Sequence, residues 1–217
     1  SIDIKLKIVD IVEETENTKS FILKDIDSKI LDFKPGQYIT LKIIFNGELI
    51  IRSYSISSLP DLLPLLRITI KHNINSPSYT QFSQNLKIGD ILTAEPIEGY
   101  FYVREKTNIN NFLFVAAGSG ITPIISMIKS LLRKKKTAKV KLLYQNRDEN
   151  NVIFYEELIN LINKNKNFEV DFYFSKPVSY SEPKKLNTDL LSLFYLKNKE
   201  FLDNSEIFVC GPNRFID

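Results

Sequence analysis

One cysteine and one histidine are all that this 217-residue sequence carries, and those two shortages remove much enzyme chemistry. Cys210 alone forms no internal disulfide, which fits a reducing cytoplasm, and it cannot supply the several thiolates that an iron–sulfur cluster needs. With His72 as the sole imidazole, neither a histidine-rich metal site nor a Ser-His-Asp triad is expected. Long apolar runs are missing too. The most apolar stretch, Phe112 to Ile125, is short and interrupted by Gly118, Ser119, Gly120, Thr122 and Pro123, so it predicts no membrane span. Ser1 to Asp10 alternates charged and apolar residues and is no secretory signal. A net charge of +3 lacks the dense basic face that nucleic acid requires. The single basic run, Arg133 to Lys136, falls where a helix should end and suits the helix dipole; the other reading is a docking patch for an acidic electron-transfer partner. The chain therefore reads as soluble, cytoplasmic and free of metal, and what remains open to it is the chemistry of a bound organic cofactor.

What is present divides into two halves. Up to about residue 105 the pattern is strand after strand. Ile2, Ile4, Leu6 and Ile8 alternate with Asp3, Lys5 and Lys7, the period of a half-buried strand. Further strands are predicted over 20–26, 38–45, 49–57, 65–71, 91–95 and 100–103, with a short helix around 80–86. Lys34-Pro35-Gly36, Asn46-Gly47, Leu59-Pro60-Asp61 and Gly89-Asp90 mark the turns between them. Such spacing predicts a closed antiparallel barrel or sandwich. From Phe112 onward, buried-type strands (112–117, 140–144, 168–174, 207–210) alternate with helical patterns (from Ile124, from Phe154 and from Thr188), which predicts a parallel sheet with crossover helices. The polar segment Glu105 to Asn111 separates a domain over 1–105 from one over 110–217.

Two phrases carry chemistry. Ala116-Ala117-Gly118-Ser119-Gly120-Ile121-Thr122-Pro123 stands between the first parallel strand and its helix. Gly118 and Gly120 permit a sharp turn and a close backbone approach, Thr122 is the expected N-cap, and Pro123 suits the first helical position. The product is a helix N-terminus whose free N–H groups favour a pyrophosphate. The loop is neither the GxGxxG of standard Rossmann dehydrogenases nor the lysine-bearing loop of NTPases. The second phrase, Arg52-Ser53-Tyr54-Ser55-Ile56-Ser57, ends a strand, with Arg52, Tyr54 and Ile56 expected on one side and the serines on the other. It offers a guanidinium fork for phosphate, a flat ring for stacking and hydroxyl donors.

Arg-x-Tyr-Ser, then Gly-x-Gly-Ile-Thr-Pro, then Cys210-Gly211-Pro212 near the end resembles the ferredoxin–NADP reductase family. Phe33-Lys34-Pro35-Gly36-Gln37-Tyr38, Leu86-Lys87-Ile88-Gly89-Asp90 and Pro96…Gly99-Tyr100-Phe101 match weaker phrases of its barrel. Tyr144-Gln145-Asn146-Arg147 with Ile153-Phe154-Tyr155-Glu156-Glu157-Leu158 is similar to the branch containing phenylacetyl-CoA oxygenase reductase and the flavohaemoprotein reductases. The resemblance covers nearly the whole chain and implies a Greek-key FAD-binding β-barrel followed by a Rossmann-like α/β NAD(P)-binding domain.

It also implies roles. Arg52 would pair with the FAD pyrophosphate, Tyr54 would pack on the flavin ring, and Ser55 would hydrogen-bond near flavin N5. Ile70, Lys71 and His72 would contact flavin mainly through backbone; His72 stands where relatives often have arginine and otherwise reads as a polar strand end. Ser78 and Thr80 are alternative phosphate partners in a segment that lacks the family's glycine. Gly118, Gly120 and Thr122 would hold the nicotinamide dinucleotide, with Cys210, Gly211 and Pro212 opposite. Cys210 reads either as a positioning group beside the nicotinamide or as a small buried strand-end residue. Ser175, Lys176 and Arg147 are candidates for a 2′-phosphate, which favours NADP over NAD. Tyr54, Ser55 and Cys210 would thus lie nearest the chemistry. The implied function is hydride transfer from NAD(P)H to FAD and onward electron transfer to a ferredoxin, flavodoxin or oxygenase component. The alternatives are a non-catalytic flavoprotein relay subunit and a binding module without redox chemistry. Family members continue through a helix of which Asn213 to Asp217 supply one turn, some adding a [2Fe–2S] domain; the chain is expected to be truncated, and Ser1 in place of Met points to processing.

Overall fold

The computed structural model describes residues 2–72 and 81–212. Two compact units emerge: Ser1–Val103 with Ile125–Met127, and Arg104–Ile124 with Ile128–Asp217.

In the first unit, β1 (Ile4–Thr15), β2 (Thr18–Asp25), β3 (Tyr38–Phe45), β4 (Glu48–Ser55), β5 (Leu65–Lys71) and β6 (Ile91–Ala94) form one antiparallel sheet in the order β4-β3-β6-β1-β2-β5. Alternation drives it: Ile4, Leu6 and Ile8 are buried while Lys5 and Lys7 face water. Their inward partners Phe21, Leu23, Ile39 and Leu41 are fully buried, and each such side chain contributes about 1.5–3 kcal/mol on leaving water. The β3–β4 hairpin turns on Asn46 (φ 51°) and Gly47 (φ 79°), a two-residue turn of left-handed residues whose twist matches the strands. The sheet's two edges meet where Ile56 bridges Ile68 and the Ser57 N–H donates to the Arg67 carbonyl at 2.8 Å. That contact curls the sheet into the barrel form.

Two expectations need correction here. No strand forms over Tyr100 to Val103. Gly99 has φ 123°, and the chain turns back on itself so that the Tyr102 N–H donates to the Tyr100 carbonyl at 3.0 Å, leaving Tyr100 95% exposed. The helix expected around 80–86 is a single 3₁₀ turn, Phe82–Asn85, anchored by buried Phe82; Thr80 lies outside the described residues.

The second unit has four parallel strands, β7 (Asn111–Ala117), β8 (Lys139–Asn146), β9 (Phe168–Phe174) and β10 (Ser205–Cys210), in the order β10-β7-β8-β9. Its helices are α1 (Ile121–Lys134), α2 (Tyr155–Lys164), α3 (Thr188–Lys197) and the short α4 (Lys199–Asp203). Residues Phe112 to Ala117 are buried without alternation, as a covered central strand requires. Because all four strands run one way, their last residues Ala117, Asn146, Phe174 and Cys210 share one edge. Of the basic run, Lys136 serves the end of α1, donating to the Leu132 carbonyl, while the Lys135 ammonium ties that end to the segment before β7 through the carbonyls of Thr107 and Ile109.

Candidate functional site

The end of β4 brings together the Arg-x-Tyr-Ser residues. Tyr54 is half-buried against the barrel core, its ring 6.5 Å from that of Phe82 and tilted by 54°. Burial pushes its phenol up to about 12, so the ring presents a neutral face at physiological pH. Arg52, also half-buried, donates to the Ile51 carbonyl at 3.0 Å. Ser55 lies opposite Tyr38 in the ladder, and the Ser53 and Thr40 hydroxyls share a bond of 2.8 Å. The expected side-to-side alternation stops at the strand's end, because Ile56 and Ser57 are both buried. Ser57 is drawn inward by Arg67, whose guanidinium donates to the Ser57 hydroxyl at 2.9 Å and to its carbonyl at 2.7 Å. Burial lowers the Arg67 pKa to about 10. This clamp ties β4 to β5 just beyond Ser55 and was not anticipated from sequence.

At the end of β5, Ile70 is buried and Lys71 exposed. The His72 N–H donates to the Asn17 carbonyl, and its ring Nε2 accepts from the Gln84 amide. Its Nδ1 is buried and has no partner among the described residues. Ser78 and Thr80 fall outside those residues. A cation, a flat neutral ring and a short hydroxyl on one strand end, beside a second strand end, fit an aromatic cofactor that carries phosphate.

In the second unit the glycine loop occupies the shared strand edge. Gly118 has φ 53° and begins a 3₁₀ turn, Gly118–Gly120, that runs directly into α1. The N-cap is therefore Gly120, not Thr122 as the sequence suggested; Thr122 and Pro123 lie inside the first turn. The 3₁₀ turn supplies the entry that a capping hydroxyl otherwise would. No side chain among the described residues caps this helix; the Ile121 N–H turns back to the Gly118 and Ser119 carbonyls and Pro123 has no N–H, so what the helix end offers an anion is the positive end of its dipole. A Cβ on Gly120 would lie 2.1 Å from the Cys210 carbonyl oxygen, so glycine is what lets the loop and the end of β10 touch. Tyr144 supports the loop from below, donating to the Gly118 carbonyl at 3.4 Å and to that of Ile153 at 3.2 Å. Cys210 is partly exposed at the strand end, with burial pushing its thiol up. A raised thiol is a poor nucleophile. Gly211 and Pro212 follow it along the same edge.

Further along the edge, the Ser175 N–H donates to the Asn146 carbonyl at 3.1 Å and the Lys176 N–H to that of Arg147 at 2.7 Å. The side chains of Arg147 and Lys176 are both exposed. Two residues that sequence reasoning passed over fix this region. The Gln145 amide oxygen accepts from the Leu186 N–H at 2.6 Å, and Glu149 binds the loop after β9. Glycine turn, uncapped helix end and flanking cations fit a dinucleotide. Among the described residues no group of three His, Cys, Asp or Glu side chains could hold a metal, and no helix is long and apolar enough to cross a membrane.

Comparison with known proteins matches residues 5–102 to the oxidoreductase FAD-binding domain and residues 114–217 to the oxidoreductase NAD-binding domain. The ferredoxin reductase component of 3-ketosteroid-9-alpha-monooxygenase from Rhodococcus rhodochrous is 32% identical over 216 residues, which are 98% of this chain and 58% of that protein. Flavohemoprotein A from Dictyostelium discoideum is 32% identical over 218 residues, 94% of this chain and 52% of that protein. The chain thus spans about half the length of the curated relatives it matches. Among solved structures, the CS-b5R domains of human Ncb5or in the NAD+ form superpose with a TM-score of 0.87 at 27% identity, covering 99% of this chain and 63% of that one. Ferredoxin–NADP+ reductase from Plasmodium falciparum shares the fold, with a TM-score of 0.80 at 23% identity over 98% of this chain and 88% of that one.

Proposed function

This chain belongs to the ferredoxin–NADP reductase family of FAD- and NAD-binding oxidoreductases, and from that premise we propose that it oxidises NAD(P)H and delivers the electrons to a separate protein. The observation that carries the reading is the pairing, in one chain, of an Arg-x-Tyr-Ser strand end with a glycine turn leading into an uncapped helix. When bound, FAD supplies the redox step, taking two electrons as hydride from the nicotinamide and releasing them singly. The chain's own residues bind and align. Arg52 neutralises the FAD pyrophosphate, the Tyr54 ring covers one face of the flavin, and Ser55 donates near its reactive nitrogen. Ile70, Lys71 and His72 line the flavin from β5, and Ser78 and Thr80 remain the alternative phosphate partners. Gly118, Gly120 and Thr122 receive the dinucleotide pyrophosphate; Cys210, Gly211 and Pro212 bound the nicotinamide side. No side chain has to give or take a proton, so alignment and exclusion of water are the protein's contribution.

Arg147, Ser175 and Lys176 favour a 2′-phosphate, hence NADPH over NADH. The acceptor is a ferredoxin, a flavodoxin or the oxygenase component of a multi-protein system, a reading supported by the Rhodococcus relative's own description. The lone cysteine suits work in the reducing cytoplasm. The test is turnover of the full-length, FAD-supplemented protein with each coenzyme and a panel of one-electron acceptors. NADPH-dependent acceptor reduction is expected; protein that takes up no flavin overturns the proposal.

A further inference from the structure

Glu149 sits in the loop after β8, but its carboxylate is committed to the loop after β9. One oxygen accepts from the Val178 N–H at 2.9 Å; the other accepts from the Ser179 hydroxyl at 2.7 Å and from the Ser179 N–H at 3.4 Å. The Ser179 hydroxyl also meets that of Ser181 at 2.8 Å. These donors, the Ser179 hydroxyl first and the Val178 N–H next, hold the carboxyl down to about 2. Glu149 is consequently charged at any pH where an enzyme of this kind works.

The place of these bonds in the chain is what matters. On one side of the loop, Ser175 and Lys176 are tied by their N–H groups to the carbonyls of Asn146 and Arg147. On the other side, Val178 and Ser179 are tied to Glu149. Lys176 ends the first attachment and stands two residues before the second. Residues 178–185 are all exposed, so no apolar packing by these side chains holds the segment in place. A polar loop of this kind samples many conformations unless hydrogen bonds select one, and bonds to an ionised acceptor are the strongest available. Neither charge nor spacing alone marks Glu149 out, since its partners lie about 30 residues further on.

We propose that Glu149 is a positioning residue for the nicotinamide coenzyme: its carboxylate staples the β9–α3 loop to the β8 loop and so presents Lys176 to the 2′-phosphate of NADPH. The proposal rests on the reading of this strand edge as the coenzyme site. Glu149 itself touches no substrate. Its loss leaves the stretch after Lys176 without an attachment until Lys184 and Leu186, whose N–H groups donate to the Phe174 carbonyl and the Gln145 amide oxygen, and the cost falls on NADPH binding, with flavin binding and the redox step untouched.

The experiment compares the full-length, flavin-loaded protein with Glu149→Ala, Glu149→Gln, Lys176→Ala and the Glu149→Ala/Lys176→Ala double variant, using NADPH and NADH in parallel. Glu149→Ala should raise the KM for NADPH about tenfold, the loss of roughly one charge-assisted hydrogen bond at the phosphate. Its kcat, its flavin content and its KM for NADH should each stay within about twofold to threefold of the parent, the ordinary effect of a surface change. Glu149→Gln keeps one acceptor oxygen and should fall between. In the Lys176→Ala background, removing Glu149 should add little, because the two act through one contact. Equal KM increases for both coenzymes overturn the proposal, as does a fully additive double variant. An active parent with unaffected variants rejects this proposal alone. A parent that oxidises neither coenzyme rejects the coenzyme-site reading and this proposal with it.

Discussion

Tyr54, Arg52 and Ser55 owe their arrangement to two-residue alternation on one strand, and each leaves a different trace in solution. Burial raises the Tyr54 phenol from 10.0 to about 12, so folding favours the neutral phenol. That contribution is fully present below pH 10 and is lost as pH climbs toward 12. Tyr54→Phe should therefore flatten the fall in stability between those limits, measured by urea unfolding at stepped alkaline pH; an unchanged slope would contradict the burial. Arg52→Ala should lower retained flavin several-fold in the purified protein, measured by absorbance against protein content. Unchanged flavin content would count against its phosphate role. These residues were legible in the sequence because their chemistry is specific: a guanidinium, a ring and a hydroxyl on one strand end suggest a phosphate-bearing aromatic ligand. Arg67 and Glu149 were not legible. An isolated arginine in a strand and an acid in a loop read as solvated charges, and their partners, Ser57 ten residues back and Ser179 thirty ahead, are brought near only by folding.

Elements were readable where burial imposes a clear period. The bounds of β3, β5 and β9 follow directly from their apolar patterns, and the Asn46-Gly47 hairpin follows from turn chemistry. Failures came where local pattern and tertiary partner disagree. Tyr100 to Val103 has strand-like residues, yet among the described residues no strand pairs with it, and Gly99 turns the chain away. Thr122 has the right side chain for an N-cap, yet the Gly118–Gly120 turn starts the helix earlier. That same junction makes a prediction of its own. A methyl group at position 120 would meet the Cys210 carbonyl at 2.1 Å, against backbone that cannot swing aside. Gly120→Ala should therefore cost about 1–3 kcal/mol in urea unfolding and weaken coenzyme binding together with stability. A variant as stable as the parent would show that the loop and β10 do not meet.

At the level of the whole molecule, two units of unlike topology each end in a cluster of ligand-ready groups, one suited to a flavin and one to a dinucleotide. Tyr54 and Cys210 are both pushed away from neutrality, towards the protonated form. Tyr54→Phe and Cys210→Ser should accordingly leave the shape of the pH profile of coenzyme oxidation unchanged across neutral pH. The most direct measurement of the central claim is anaerobic rapid mixing of the flavin-loaded protein with NADPH and, separately, NADH, following the visible flavin absorption. Rapid bleaching is expected, at lower coenzyme concentration for NADPH. A flavin band that persists with both coenzymes would contradict the account.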